Sequence, residues 1–367
     1  MDSVTDTSPV PGTESGLIVL TCASGRQCSQ IIPLLYEGRS SASSSPDPHA
    51  KLRLVVHSET SRARLAEQYP AAQVVRADLQ VARECAAVVA GADTVFYVGP
   101  PFHPYEVTMG MNMVDAVVAE SRHRRRRWQK QQQKEQEEEA EQEGKREVDL
   151  YLASVHFIFS SALHPEASKL LHHDQKRQVE EYLGESGLAY TVLQPSIFMD
   201  NFLGQLLSQQ QQKQKDPVTF TAPFNPAVPM SFTALRDHAE VAVKVVRERA
   251  RHFFATYQLV STRPMTTAAY ADAVVAVLGR RVDIKRLPLE QAADAFVRMT
   301  WGSPAASDDD DDDVDQTYRD APERMLLYYN SRGLLGNPGV LEWLLGREPT
   351  TPADLARLRL QEAGHAD

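Results

Sequence analysis

The sequence has few cysteines and no long apolar run, and both absences restrict the kind of protein it encodes. The only cysteines among its 367 residues are Cys22, Cys28 and Cys85, and no two of them form a Cys-x-x-Cys pair. This odd, scattered set predicts neither a disulfide framework nor a structural zinc site, and it favours a reducing compartment. No apolar segment approaches the roughly 20 residues of a membrane span, and the first fifteen residues lack the apolar core of a secretory signal. We expect a cytoplasmic protein, with the nucleus as a second candidate location and no membrane partner.

Sequence motifs of several protein classes are also missing. There is no Gly-x-Ser-x-Gly elbow for acyl transfer and no His-Glu-x-x-His for a zinc site, so we predict no metal. The formal net charge of -10 argues against nucleic acid as a direct partner, since phosphate binding needs a basic surface. The basic run Arg122–Lys130 is the exception. It would serve nuclear import or anion binding, or it is a solvated insert that pairs with its own acidic half.

From residue 17 onward, short apolar runs bounded by turn residues alternate with amphipathic segments. Helical patterns separate the runs, including one near Glu106–Glu120 and one near Asp174–Glu185. Such βαβ units predict an α/β fold, a doubly wound parallel Rossmann sheet with a smaller C-terminal α+β lobe. The predicted strands are Leu17–Leu20, Leu52–His57, Gln73–Arg76, Asp93–Pro100 and the segments HFIFSSAL and AYTVLQP.

The composition divides the chain into three parts. We predict a disordered leader at 1–15, an NAD(P)-binding Rossmann domain at 16–203, and a substrate lobe at 204–367 that includes MSFTALRDHAEVAVKVVRE and YQLVS. Three polar inserts bury too little apolar surface to offset the entropy of ordering, so we predict them to be disordered. They cover residues 122–148, 208–216 and 303–315. For the first insert a solvated helix is the alternative, because its composition is strongly helix-forming.

The stretch LIVLTCASGRQCSQ places a turn of small residues between the first strand and a helix. This is the layout of a dinucleotide-binding turn, in which backbone amides at a helix N-terminus hold the diphosphate. Gly25 occupies the middle of a Gly-x-x-Gly-x-x-Gly frame, whereas Cys22 and Cys28 stand where the outer glycines are expected. A plain strand-to-helix turn is the alternative. The predicted cofactor contacts are Thr21, Cys22, Ala23, Ser24, Gly25, Arg26 and Gln27.

The ends of the next strands add further candidates for cofactor binding. The second strand ends with His57 and Ser58 rather than with an acid, and Arg62 follows soon after. This pattern favours the 2′-phosphate of NADP over the 2′-hydroxyl of NAD, although Arg62 facing solvent is the alternative. An aspartate after the third strand would reach the adenine amino group. The set comprises His57, Ser58, Arg62, Asp78, Leu79, Val98, Gly99, Pro100 and Pro101.

Several segments together resemble the NmrA-like family, atypical members of the short-chain dehydrogenase/reductase superfamily, and its fungal-type branch in particular. The resemblance covers Leu17 to Arg359 apart from the three inserts. It implies that Pro195, Ile197 and Phe198 lie against the nicotinamide and that Ser160 lies beside the reacting carbonyl. Ordinary strand-end hydrogen bonding is the alternative for Ser160, and core packing is the alternative for Phe198. The segments that carry the resemblance include RADL, VFYVGPPF, HHDQKRQVEEYLGESGLAYTVLQPSIFMDNF, MSFTALRDHAEVA and ERMLLYYNSRGLLGNPGVLEWLLGREPTT.

One helical stripe carries the candidate catalytic residues. On a helix, His172, Lys176, Val179 and Leu183 share a face, so Lys176 aligns with apolar positions. In the superfamily the matching lysine holds the nicotinamide ribose and lowers the pKa of a tyrosine four residues earlier. Here His172 stands at that position, and its ordinary pKa near 6.5 suits proton transfer. We predict catalytic roles for Lys176 and His172; a packing histidine and a surface lysine are the alternatives.

These observations favour an NmrA-like NAD(P)-dependent oxidoreductase that transfers hydride from NADPH to a small organic substrate. The alternative is a non-catalytic NAD(P)-binding redox sensor that acts through a regulatory protein partner. The missing tyrosine and the eroded glycine frame favour the sensor, whereas the aligned Lys176 and the apolar residues after Pro195 favour the enzyme. A pseudoenzyme that has lost its cofactor is a third alternative.

Overall fold

The structure, a computed structural model, describes residues 16–36, 51–136, 151, 153–208, 217–301 and 312–364. The predicted leader lies outside these residues, and so do residues 137–148, 209–216 and 303–311 of the three predicted inserts. In chain order the strands are β1 (Leu17–Leu20), β2 (Lys51–Val56), β3 (Gln73–Arg76), β4 (Ala92–Val98), β5 (His156–Ser160), β6 (Ala189–Pro195), β7 (Ile197–Phe198), β8 (Val218–Ala222), β9 (Pro229–Met230), β10 (Phe232–Thr233), β11 (Ala255–Leu259), β12 (Met265–Thr266) and β13 (Val282–Arg286). The α-helices are α1 (Arg26–Tyr36), α2 (Glu59–Gln68), α3 (Ala82–Val89), α4 (Glu106–Gln136), α5 (Leu171–Glu185), α6 (Asp200–Leu207), α7 (Leu235–Glu248), α8 (Thr267–Ala276), α9 (Leu289–Trp301), α10 (Asp312–Arg332), α11 (Gly339–Leu345) and α12 (Pro352–Glu362).

The centre of the molecule is a seven-stranded sheet in the order β11-β6-β5-β4-β1-β2-β3. All its strand pairs are parallel, which confirms the predicted doubly wound Rossmann sheet. The segment YQLVS was predicted within the C-terminal lobe, but it belongs to β11, the seventh strand of this sheet. The order of the strands reverses between β1 and β4, and ligands of such sheets bind at the carboxyl ends beside this switch point.

Helices cover both faces of the sheet, which explains why its strands are apolar on both sides. Along β4, Phe96 and Val98 face a core shared with α1, α7 and α11. Val95 and Tyr97 face the opposite core, to which α3, α4 and α5 contribute. Buried parallel strands therefore appear in the sequence as continuous apolar runs rather than as an alternating pattern.

The second lobe is built around two short strand pairs, β8 with β13 and β9 with β12, together with α6, α8, α9, α10 and α12. Its core is rich in aromatic rings, with Phe202 in edge contact with Phe220, Phe224 and Phe232. The loop residue Phe102 of the sheet domain joins the same core. Between these elements the chain returns to the sheet through α7 and β11.

Two of the predicted inserts are partly helical. The helix α4 runs to Gln136, so the prediction of disorder is wrong for 122–136 and the helical alternative is confirmed there. Its basic run is anchored rather than solvated, since Arg124 donates to the carbonyl of Ala92 at 2.6 Å and Arg125 donates to Ser154 Oγ at 2.7 Å. The helix α10 begins at Asp312, inside the insert predicted at 303–315. Among the described residues, no helix combines the length and apolar character that crossing a bilayer requires.

Candidate functional site at the carboxyl edge of the sheet

The turn after β1 is fastened to the strands on both sides. The hydroxyl of Thr21 donates to the carbonyl of Val98 at 2.9 Å and accepts from the amide of Val98 at 2.8 Å. The amide of Ala23 donates to the carbonyl of Val55 at 3.0 Å, and that of Gly25 donates to the carbonyl of Cys22 at 2.8 Å. The turn is therefore a tight, fixed structure at the switch point of the sheet.

Two cysteines occupy the positions of the missing glycines, and one of them takes the backbone conformation that a glycine would supply. Cys22 has a φ of +46°, the left-handed conformation that glycine normally supplies. Cys28 is buried in α1, where its thiol donates to the carbonyl of Thr21 at 3.4 Å. At Gly25, a Cβ would lie 3.0 Å from the carbonyl oxygen of Cys22, so a larger residue would make a tight contact there. The backbone frame of a dinucleotide turn is thus retained.

The start of α1 fits an anionic group. Ser24, Gly25 and Arg26 are exposed, and the first amides of an α-helix have no acceptor within the helix. Such a helix N-terminus favours a diphosphate. Burial, together with the charge of the nearby Glu106, raises the pKa of the Cys22 thiol to about 12. The thiol is therefore protonated at neutral pH and adds no negative charge beside a bound phosphate.

The first two side chains of α1 reach both lobes. The guanidinium of Arg26 donates to Asn201 Oδ1 in α6. The amide oxygen of Gln27 accepts from Ser160 Oγ at the end of β5, at 2.7 Å. The turn is in this way connected to the second lobe and to the strand that carries the predicted carbonyl-side serine.

The residues after β2 are engaged in local contacts. Ser58 caps α2 by accepting from the amide of Ser61 at 3.2 Å, and His57 is exposed. Arg62 binds both carboxylate oxygens of Glu59, with its Nε 2.8 Å from Oε1 and 2.9 Å from Oε2. Sequence reasoning missed Glu59, which brings a carboxylate to this end of the strand. The signal was present, since Glu59 lies three residues before Arg62 on a helix.

Asp78 and Leu79, after β3, are likewise committed to their own loop. The carboxylate of Asp78 accepts from the amide of Gln80 at 2.9 Å. Leu79 is buried, and its carbonyl accepts from Asn112 Nδ2 at 3.0 Å. These residues lie at the same edge of the sheet as the turn after β1.

The connection after β4 contains a strained aromatic residue. Val98, Gly99, Pro100 and Pro101 lead to Phe102, whose φ is +62°. The Phe102 ring lies 4.8 Å from the ring of His172 and 6.4 Å from that of Phe296 in α9. Two carbonyls of this connection, those of His103 and Pro104, accept from Gln175 Nε2 at 3.0 and 3.3 Å. The space in front of His172 is therefore filled by Phe102.

The helix α5 presents its predicted stripe to the core. His172, Lys176, Val179 and Leu183 are all buried, which confirms their common face. Lys176 Nζ lies 2.6 Å from Oε1 of Glu106, and their side chains are only 10% and 1% exposed. Burial raises the pKa of Glu106, while the charge of Lys176 opposes this shift. Sequence reasoning missed Glu106, because nothing in the chain order pairs two residues on different helices.

His172 is a neutral, enclosed side chain. Burial lowers its pKa well below the ordinary value, and the charges of His173 and Lys176 lower it further. Its Nδ1 has no hydrogen-bond partner among the described residues. The neighbouring His173, which sequence reasoning also missed, contacts the carbonyl of His164 and the hydroxyl of Tyr329, each at 2.9 Å. The second histidine therefore ties α5 to α10 of the second lobe.

Ser160 faces the side of the sheet opposite to Lys176. Its Oγ lies 2.7 Å from Gln27 Oε1 and 3.4 Å from Nε2 of His238 in α7. Lys176 instead lies over the ring of Phe159, at 5.6 Å from the centroid. Ser160 and Phe198 share His238 as a neighbour, since its ring lies 5.6 Å from that of Phe198. Lys176 lies on the other face of the sheet.

The residues after β6 lie between the two lobes. Pro195 ends β6, and the next two-residue strand, Ile197–Phe198, pairs in parallel with β10. Ile197 packs against the core of the second lobe. Among the described residues, no group of three or more His, Cys, Asp or Glu side chains is placed to hold a metal ion.

Comparison with known families supports this geometry. Residues 152–319 match the model of the NmrA-like family, and residues 42–220 match a model of NAD(P)H-binding proteins. The chain is therefore similar to the NmrA-like family and to NAD(P)H-binding proteins over these stretches. Its assignment to the fungal-type branch stays a prediction, and no curated protein matches it in sequence.

Solved structures of two reductases and of NmrA share the fold of this chain. A Citrobacter sp. triphenylmethane reductase complexed with NADP(H) is 16% identical with a TM-score of 0.64, over 92% of this chain and 98% of that one. An NADPH-dependent quinone oxidoreductase from Escherichia coli, complexed with NADPH, is 17% identical with a TM-score of 0.61, over 94% and 99%. NmrA, a negative transcriptional regulator in complex with NAD, is 15% identical with a TM-score of 0.63, over 96% and 98%. At such low identity these similarities show the fold alone.

Proposed function

We propose that this NmrA-like protein is an NAD(P)-dependent oxidoreductase that transfers hydride from NADPH to a small organic substrate. The observation that carries the proposal is the exposed start of α1, which follows the left-handed Cys22 at the switch point of the sheet. The similar structures of two reductases, complexed with NADP(H) and with NADPH, support it.

The dinucleotide would supply the hydride, and the protein would supply binding and orientation. The amides of the turn from Cys22 to Gln27 would hold the diphosphate. Lys176 would donate to the nicotinamide ribose, because an ammonium has three N–H donors and Glu106 uses one of them. Ile197 and Phe198, at the junction of the lobes, would form the apolar wall of the substrate site.

A preference for NADPH over NADH rests on Arg62. Its guanidinium is bound to Glu59, but both side chains are largely exposed, at 42% and 60%. Exposed ion pairs are weak, and phosphate is a strong bidentate partner of arginine. A 2′-phosphate would therefore compete successfully with Glu59 for Arg62.

The second candidate function is a redox sensor that binds the dinucleotide and controls a protein partner. It is favoured by His172, which stands in place of the superfamily's tyrosine and is enclosed by Phe102 and His173. Its lowered pKa leaves no readily donated proton at neutral pH. The similarity to NmrA, a transcriptional regulator complexed with NAD, points in the same direction.

Calorimetric titration of the full chain with NADPH, NADP, NADH and NAD tests cofactor binding. We expect the phosphorylated forms to bind at least about tenfold more tightly, a difference of about 1.4 kcal/mol. Arg62→Gln should reduce this ratio, and the matched Glu59→Gln should increase it because it frees the guanidinium. Equal affinities for all four forms would refute the preference for NADPH. If none of the four binds, both the oxidoreductase and the redox sensor are refuted.

Turnover separates the enzyme from the sensor. NADPH oxidation is followed with a panel of quinones, dyes and conjugated carbonyl compounds, for the wild type and for Lys176→Ala. An enzyme should turn over at least one acceptor and lose that turnover in Lys176→Ala. Dinucleotide binding without turnover of any acceptor would favour the sensor, in which control of a partner persists in variants that still bind dinucleotide.

A further inference from the structure

A buried ion pair lies beneath the cofactor edge and is not explained by packing. Lys176 Nζ in α5 and Glu106 Oε1 in α4 are 2.6 Å apart, and the remaining oxygen of Glu106 has no partner among the described residues. Replacing a buried ion pair by apolar side chains is often neutral or stabilising. A pair with an unsatisfied oxygen is therefore a poor device for stability, and its position invites a functional explanation.

Three local features hold Glu106 in this place. It is the first residue of α4, where the helix dipole stabilises an anion. At Gly99 a Cβ would lie only 2.9 Å from Glu106 Oε1, so the glycine leaves the room in which the carboxylate lies. Lys176 is held from the other side by the ring of Phe159, at 5.6 Å from the centroid. The ammonium therefore has a fixed position rather than a range of rotamers.

We propose that Glu106 is a positioning residue, whose carboxylate fixes the ammonium of Lys176 so that its two remaining donors meet the nicotinamide ribose. The inference rests on the proposed function, because it requires a dinucleotide at this edge. It assigns to Glu106 the task of compensating the charge of Lys176, which His172 does not perform because its ring lies against Phe102 and His173. Glu106 acts through Lys176 and does not itself contact the cofactor.

The test compares two ligands and four variants of the full chain. NADPH contains the nicotinamide ribose, whereas ADP contains the adenosine and the diphosphate but lacks that ribose. The variants are Glu106→Gln, Lys176→Met, the double variant, and Tyr97→Phe as a matched control. Tyr97 is also fully buried close to Gly99, and its hydroxyl has no partner among the described residues.

We expect Glu106→Gln and Lys176→Met each to weaken NADPH binding about tenfold, as for the loss of a hydrogen bond to a charged group. ADP binding should change less than about twofold, which is the readout that general structural damage would not preserve. The double variant should bind NADPH no more weakly than Lys176→Met, since Glu106 acts only through the lysine. Tyr97→Phe should bind both ligands as the wild type does.

Unchanged NADPH affinity in a folded Glu106→Gln protein would overturn the inference, and so would equal losses for NADPH and ADP. The inference would also be overturned if the wild type binds ADP and NADPH and Lys176→Met binds both with unchanged affinity. If Glu106→Gln does not fold, Glu106→Asp keeps the charge and withdraws it by one methylene, and the same selective loss of NADPH affinity is expected. A wild type that binds no dinucleotide would instead refute the proposed function, and the inference with it.

Discussion

Three of the five described non-glycine residues with positive φ angles lie at the edge of the sheet that carries the candidate site. Cys22, Phe102 and His164 have positive φ angles, and they follow β1, β4 and β5. Positive φ is uncommon for residues other than glycine, and it is an outlier for a bulky one. Such strain costs about 1–3 kcal/mol and persists only where the surroundings impose it. The connections that follow β1, β4 and β5, three neighbouring strands, therefore each contain a residue in an unfavourable backbone conformation.

The strain at Phe102 predicts an inverted order of two substitutions. Both Phe102→Ala and Phe102→Gly lose a buried ring, which costs about 3–5 kcal/mol for alanine. Because alanine is penalised by about 1–2 kcal/mol in the left-handed conformation and glycine is not, Phe102→Gly should be the more stable variant. Urea denaturation of the two variants gives their free energies of unfolding and so tests this order of stability.

A matched pair of substitutions in α9 controls for that comparison. Phe296 contacts Phe102 but lies within a helix, where glycine is about 1 kcal/mol less favourable than alanine. Phe296→Ala should therefore be more stable than Phe296→Gly, which is the usual order. The same order at Phe102 would contradict the left-handed assignment.

At the scale of elements, composition indicated that α4 could extend into the first insert, but not that the extension packs against the sheet. Beyond Glu120 the sequence has no apolar stripe, so nothing in its periodicity indicates packing. The structure instead anchors the helix through the Arg124 guanidinium, which binds the carbonyl of Ala92 and the carboxylate of Asp93. Hydrogen bonds from one long side chain to strand-end carbonyls leave no periodic trace in a sequence.

This anchor predicts unequal effects of two arginine substitutions in the same basic run. Arg124→Gln should lower the free energy of unfolding by about 1–3 kcal/mol, because partly buried acceptors lose a charged donor. Arg126 is exposed, and Arg126→Gln should change the free energy of unfolding by less than about 0.5 kcal/mol. Chemical denaturation of both variants and the wild type checks the difference. Equal effects of the two substitutions on the free energy of unfolding would mean that the basic run is a solvated surface and does not anchor α4.

The positions of the strands along the chain were more predictable than their order in the sheet. The bounds of β1 and β6 follow directly from apolar runs, because strands buried on both faces need no alternation. The bounds of β3 were also predicted, although this edge strand has no fully buried residue. The run YQLVS, whose first three residues lie in β11, was predicted as a strand but assigned to the wrong lobe. Apolar character indicates burial but not which strand is the partner, and only the tertiary structure places β11 beside β6.

At the scale of the whole molecule, the site combines contacts that the sequence could and could not indicate. The shared face of His172 and Lys176 follows from helical periodicity, and burial confirms it. The partners Glu106 for Lys176 and His238 for Ser160 come from distant elements. Their pairing depends on how α4 and α7 pack on the sheet, and this is a property of the assembled fold.

Buried histidines make the stability of the folded molecule depend on pH. Burial lowers the pKa of His238 to about 4, and it lowers the pKa of His173 to about 4 despite the hydrogen bond from that ring to His164. In the unfolded chain a histidine titrates near 6.5. Between these values the unfolded state binds more protons, so the stability that these groups contribute is complete above about pH 6.5 and is lost as the pH falls towards 4.

The variant His238→Gln isolates this effect from the rest of the molecule. Glu106 and Glu180, whose pKa values burial raises, act in the opposite sense at acidic pH, so the wild-type profile alone is not diagnostic. The difference between the two proteins is diagnostic, because the glutamine cannot take up a proton. As the pH falls from 6.5 to 4.5, the free energy of unfolding of the wild type should drop relative to that of His238→Gln by about 2 kcal/mol. Urea unfolding at a series of pH values measures this difference, and a difference that does not vary with pH would show that His238 keeps its proton equilibrium on folding.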